Sequence, residues 1–161
     1  MKPDPLLHVV LVEPEIPPNA GNVGRLCAAT RVRLHLVGPL GFAVDDKALK
    51  RAGLDYWDHL DWRLWPDLAA FQAAHGAAHP DRCHYFTTKT ERRYTDARYQ
   101  PGDFLVFGRE SKGLPATLLA AHPGACVTLP MAHPAVRSLN LATAVGIGLY
   151  EALRQLDFPF P

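Results

Sequence analysis

Five short apolar runs, separated by segments with helical patterning, constrain this chain more than any other feature of its sequence. They are His8–Val12, Leu34–Val37, Cys83–Thr87, Phe104–Phe107 and Cys126–Leu129, with Gly, Pro or Asp close to their ends. Runs of that length without a polar alternation read as strands covered on both faces. Helices are predicted between them at about Asn22–Arg31, Asp46–Ala52, Pro66–His75 and Pro115–Ala121. Pro66 and Pro115 suit first-turn positions, where a missing N–H costs nothing. Tyr56–Leu60 reads as a further edge strand. Strand–helix alternation in a single domain, residues 1–161, predicts an α/β fold with a mainly parallel sheet flanked by helices.

The last predicted helix, about Leu139–Leu156, is apolar or small on every face from Leu141 to Tyr150. Such a helix must be covered all round, and a domain this small has little left once its sheet has covered one side. A loop over the helix would suffice, but a homodimer interface is the favoured reading, with Gly146 and Gly148 allowing close approach. No apolar run approaches the ~20 residues of a membrane span, and Met1–Pro5 has no signal-peptide core. Cys27, Cys83 and Cys126 are scattered, with no CxxC pair, which suits a reducing cytoplasm. A net charge of +1 excludes a histone-like DNA binder and leaves room for a local basic patch.

Serine and asparagine are rare, with two of the former and three of the latter, and all five fall in three short segments. Asn19 and Asn22 lie in Pro17–Arg25, Ser111 in Phe107–Pro115, and Ser138 and Asn140 in Arg137–Ala142. These residue types collect at caps and turns for local reasons. Yet each segment follows a strand and leads into a helix, which in an open parallel sheet is where ligands bind. One composite site is the expectation. The familiar motifs are absent. Asn19-x-Gly21-x-x-Gly24 lacks the tight turn of a dinucleotide fingerprint, because Glu13–Pro18 with its three prolines intervenes. Gly108-x-x-x-x-Gly113 is followed by Leu-Pro, so it is no phosphate loop. Neither serine sits in a GxSxG elbow, no HExxH occurs, and although His75 and His79 are four apart, Gly76 and Pro80 break any helix that would pair them. A nicotinamide enzyme and a cofactor-free RNA-binding dimer remain open on the residues alone.

With these segments, the chain resembles the SPOUT class, the trefoil-knotted RNA methyltransferases. Within it, the sequence is similar to the small tRNA (cytidine(34)/uridine(34)-2′-O)-methyltransferases. The resemblance runs from Val9 to about Leu156. It is carried in order by Asn19…Arg25, by Gly108–Pro115, and by Leu129-Pro130-Met131 followed by Arg137-Ser138-Leu139-Asn140-Leu141. Glu13–Asn19 and the stretch from Gly41-Phe42-Ala43 through Arg51–Tyr56 are more specific to the small subgroup. The similarity implies a trefoil knot at the C-terminal end of the sheet, contrary to the usual no-knot rule. It implies S-adenosyl-methionine as cofactor, without a metal, held by Phe86, Thr87, Gly108, Glu110, Gly113, Leu129, Met131, Ser138 and Leu139.

The implied reaction is 2′-O-methylation of the wobble ribose of tRNA. Its alternatives are another tRNA or rRNA site, or a non-catalytic RNA-binding dimer. Arg25, Asn19, Ser138 and Asn140 are the implied catalytic set. Arginine is a poor proton acceptor, so Arg25 is expected to grip a phosphate and polarise the hydroxyl or its acceptor. Lys89, Arg92 and Arg93, with aromatics interleaved, suit single-stranded RNA, and Tyr150 is added to the RNA-binding set. With no appended RNA-binding domain, a dimer would have to hold the substrate, which favours a small target such as the tRNA anticodon stem-loop.

Overall fold

The computed structural model describes residues 4–45, 47, 51, 54–76 and 80–160. Its centre is a six-stranded sheet in which every pairing is parallel. The strands are β1 (His8–Val12), β2 (Arg33–Val37), β3 (Trp62–Trp65), β4 (Cys83–Phe86), β5 (Phe104–Phe107) and β6 (Cys126–Val127). Their order across the sheet is β3-β2-β1-β5-β4-β6. The chain therefore builds outward from β1 in one direction and returns to build in the other, with β5 inserted beside β1.

Both faces of the sheet are covered, which is why the strands lack polar alternation. Val9, Leu11, Leu34, Leu36, Leu105 and Phe107 face one core, shared with α1 (Pro17–Thr30) and α4 (Leu141–Gln155). Val10, Val12, Val37, Phe104 and Val106 face the other, with Phe71 of α2 (Leu68–Phe71) and Leu118 of α3 (Ala116–Ala121).

Several boundaries differ from expectation, each for a local reason. Helix α1 begins at Pro17, five residues before the predicted start, because Pro17 and Pro18 occupy its first turn. The edge strand is Trp62–Trp65, while Leu54–His59 forms a 3-10 turn whose Trp57 packs on α1. A Cβ at Gly24 would collide with that indole, so Gly24 is what lets the turn dock. The helix predicted at Pro66–His75 is capped by the Asp67 side chain, runs Leu68–Phe71 and widens into a π turn. The predicted helix Asp46–Ala52 falls largely outside the described residues.

Strand β6 ends early, and its end is informative. Thr87 N–H donates to Val127 O on the β4 side. On the opposite side Thr128 N–H donates to Arg92 O, and Tyr94 N–H donates to Thr128 O. The loop leaving β4 therefore crosses the end of β6 and flanks it on both edges.

Helix α4 is not apolar to no purpose. Leu141, Val145, Leu149, Ala152 and Leu153 are core, while Ile147 and Tyr150 are 37% and 46% exposed. Gly148, expected at a partner interface, instead faces its own sheet: a Cβ there would strike the Phe86 ring. Toward the start of the strands lies a buried histidine pair. Trp65 Nε1–H, which can only donate, is 3.0 Å from His35 Nδ1. His35 must then carry its proton on Nε2 and donate to His8 Nδ1, 2.8 Å away. Burial holds both imidazoles neutral, with pKa values lowered to about 3 for His8 and about 2 for His35.

Candidate functional site

A cavity of about 800 Å³ opens at the carboxyl ends of β4, β5 and β6. Its floor is aromatic: Phe86 and Phe107 stack with centroids 4.4 Å apart, and Gly148 gives them room. Three loops form its walls, following β4 (residues 87–89), β5 (108–114) and β6 (129–140). Every residue expected to hold a cofactor lies on this lining: Phe86, Thr87, Gly108, Glu110, Gly113, Leu129, Met131, Ser138 and Leu139. Asn19, Asn140 and Lys89 line it too.

The loop after β5 is shaped by two glycines. A Cβ on Gly108 would run into the backbone of Gly113 and Leu114, so the turn closes only around glycine. Gly113 has φ +66°, in the left-handed region, and its N–H donates to Arg109 O at 2.9 Å.

That loop is latched to the segment after β1, across the point where strand order reverses. Glu15 N–H donates to both Glu110 carboxylate oxygens, at 3.1 and 3.0 Å. In return Glu15 Oε1 accepts from Ser111 N–H at 2.9 Å and from Ser111 Oγ at 2.7 Å. These bonds hold the Glu15 carboxyl below its ordinary range. Arg109 adds an ion pair to Glu13 at 3.0 Å. The Glu110 carboxylate is thus engaged as a latch at the cavity wall, with a partner 95 residues away in the chain.

Asn140 closes the site from the other side. Its Oδ1 accepts from Thr143 N–H and caps α4, while its Nδ2 donates to Asn19 Oδ1 at 3.0 Å. Two of the chain's three asparagines therefore meet across 121 residues. The Ser138 hydroxyl has no hydrogen-bond partner among the described residues.

Other expected residues lie elsewhere in the chain. Arg25 is exposed on α1 and stacks over the Tyr56 ring, its guanidinium carbon 5.3 Å from the centroid; it is not on the cavity lining. It stands six residues past Asn19, about 9 Å along a helix. Arg92 donates to Gly124 O, and neither it nor Arg93 lines the cavity. Tyr150 lies on the uncovered face of α4, near Phe158. Sequence reasoning assigned no role to Arg109, Lys112 and Arg137 on the lining, although each lies within a motif that it singled out.

The three cysteines are buried and unpaired, and burial raises each thiol above its ordinary pKa, so none is a poised nucleophile. Among the described residues, no group of three His, Cys, Asp or Glu is placed to hold a metal ion, and no helix is long and apolar enough to cross a membrane.

The site accommodates a nucleoside-sized ligand. Its volume lies in the range of small-molecule pockets, and its floor offers two aromatic faces. The backbone N–H groups and carbonyls of Leu129 and Met131 have no partner among the described residues, which leaves them free to read a base edge. An open parallel sheet with such a cavity at its carboxyl edge, walled by a loop that straddles the end of the last strand, is an α/β fold of the SPOUT architecture.

The chain belongs to the SpoU rRNA Methylase family, whose profile matches residues 6–150. It is 49% identical over 154 residues to a tRNA (cytidine(34)-2′-O)-methyltransferase of Burkholderia ambifaria, covering 95% of this chain and 97% of that one. A solved structure concerned with the 2-OH methylation of C/U34 on tRNA superposes with a TM-score of 0.89 at 49% identity, covering 97% of this chain and 99% of the other. An AdoMet-bound rRNA methyltransferase from Sinorhizobium meliloti superposes with a TM-score of 0.83 at 27% identity, covering 96% of this chain and 58% of its own.

Proposed function

We propose that this protein is an S-adenosyl-methionine-dependent methyltransferase that modifies the ribose 2′-hydroxyl of the wobble nucleotide, position 34, of tRNA. The observation that carries this reading is the near full-length 49% identity to a relative of that name, in a chain whose three Ser/Asn segments converge on one cavity. When bound, S-adenosyl-methionine supplies an activated methyl group, so no metal is needed for the transfer. Phe86 and Phe107 offer the apolar floor for its adenine, and the backbone of Leu129 and Met131 reads the base edge. Gly108 and Gly113 shape the wall, and Glu110 keeps that wall latched to Glu15.

The chain's own task is alignment and charge. The Asn19–Asn140 pair fixes the floor of the ribose site, and the Ser138 hydroxyl is free to bond the reacting 2′-oxygen or the cofactor carboxylate. Arg25 holds a phosphate and polarises the hydroxyl or the group that takes its proton. Because Arg25 lies off the cavity of its own chain, it serves the cavity of a second copy. The uncovered strip of α4 and the outer face of α1 form that homodimer interface. Lys89, Arg92, Arg93 and Tyr150 complete the surface for the anticodon stem-loop. The loop around β6 is read as part of a trefoil knot, the whole chain as one domain, and its location as the cytoplasm.

Methylation of total tRNA from a strain lacking this gene, followed by mapping of the modified nucleotide, tests the assignment. A 2′-O-methyl group at position 34 is expected. Modification elsewhere in tRNA, or of ribosomal RNA alone, would replace the substrate; no transfer to any RNA would leave a binding dimer.

A further inference from the structure

The charges around the cavity do not match the needs of a methyl donor alone. Four cations line it, Lys89, Arg109, Lys112 and Arg137, against one carboxylate, Glu110. Arg109 is paired with Glu13, and Glu110 is occupied by the Glu15 N–H. Lys112 and Arg137 are exposed and have no hydrogen-bond or ion-pair partner among the described residues, Lys112 meeting the Glu15 carboxylate only at longer range. S-adenosyl-methionine carries a sulfonium, an ammonium and one carboxylate, a net positive charge, and gains nothing from a surplus of cations. A polyanion does.

The backbone beneath these two side chains is held by hydrogen bonds. Lys112 sits between Ser111, held by Glu15, and Gly113, whose N–H is bonded to Arg109 O. Arg137 follows a turn in which Val136 N–H donates to His133 O and Ala135 N–H to His133 Nδ1. Three residues later Asn140 is pinned by both Thr143 and Asn19. Each cation is thus presented from an ordered position at the cavity and left unpaired, an arrangement suited to an incoming anion.

We infer that Lys112 and Arg137 are substrate ligands that hold RNA phosphates flanking the reacting ribose, one from the loop after β5 and one from the loop after β6. Arg137 is suited to bidentate phosphate recognition and Lys112 to a point contact. This inference rests on the RNA-methyltransferase reading and adds two residues to its substrate site.

The test uses the full-length protein and its Lys112→Ala, Arg137→Ala and Arg137→Lys variants. Affinity for an anticodon stem-loop RNA is measured by fluorescence anisotropy over a salt series, affinity for S-adenosyl-methionine by calorimetry, and methylation under steady-state conditions. Each alanine variant is expected to weaken RNA binding roughly tenfold and to lower the slope of log K against log salt by about 0.7, the value for one phosphate contact on a single strand. KM for RNA should rise with kcat largely retained, cofactor affinity should stay within about twofold of wild type, and Arg137→Lys should recover part of the loss. A fall in cofactor affinity with RNA binding unchanged would overturn the proposal and assign the residue to the cofactor carboxylate. Unchanged affinity for both would also overturn it. Wild-type turnover on the same RNA reports separately on the methyltransferase reading.

Discussion

A guanidinium is a poor proton acceptor, so the part proposed for Arg25 is electrostatic, and its removal should separate binding from turnover. Arg25→Ala is expected to lower single-turnover methylation by roughly 10²–10³, the range for loss of one transition-state donor, while calorimetry still records cofactor binding. Lys89→Ala should instead weaken RNA affinity and leave the rate at saturating RNA. Loss of cofactor affinity in Arg25→Ala would refute the division. The histidine pair makes a different forecast. His8 and His35 have folded pKa values of about 3 and about 2, below the ordinary 6.5 of the unfolded chain. Their contribution to stability is complete above pH 6.5 and is lost as pH falls from there toward 3. Each costs up to about 1.4 kcal/mol per pH unit in that window. Urea unfolding at pH 7.5 and pH 5.5 checks this, and a flat response would contradict it. At this scale the sequence was most legible where residues were scarce. Asn19 and Asn140 stood out because asparagine is rare, whereas Glu15 was one carboxylate among many and its bond to Ser111 spans 96 residues.

Helix α4 ties packing to the cavity through one position. Gly148 lies under the Phe86 ring, which stacks on Phe107 at the cavity floor. Gly148→Val should displace that ring, cost about 1–3 kcal/mol by overpacking, and weaken cofactor binding in parallel. Thermal unfolding and calorimetry on the variant measure the two effects, and an unchanged melting temperature would show that the floor yields freely. Elements were legible wherever local pattern decides them. All five expected strands exist because an apolar run covered on both faces has few alternatives. The sixth was misplaced by a few residues because Tyr56–Leu60 and Trp62–Trp65 are both rich in aromatics, and only the docking of Trp57 on Gly24 separates turn from strand. The early end of β6 was invisible, since Thr128 bonds Arg92 and Tyr94, more than thirty residues earlier in the chain.

For the molecule as a whole, the assembly proposal has a clean handle. Val145 is fully buried in its own chain, so a charge there would test folding, whereas Ile147 is 37% exposed on the uncovered strip. Ile147→Glu should leave the monomer folded and shift the protein from dimer to monomer in sedimentation at micromolar concentration. Wild type sedimenting as a monomer would remove the dimer. The same structure also bears on self-association of another kind. A sheet can recruit further chains by strand addition only along an edge with open backbone groups. Here β6 is only two residues long, and just past it the outer backbone groups of Thr128 are already taken by Arg92 and Tyr94. At the other margin, β3 has no outer backbone partner among the described residues and carries Leu64, 50% exposed, beside the Arg63–Asp61 pair. A fibre built by strand addition needs two open edges per subunit. With one closed, β3 can meet only another β3, and growth stops at a closed pair.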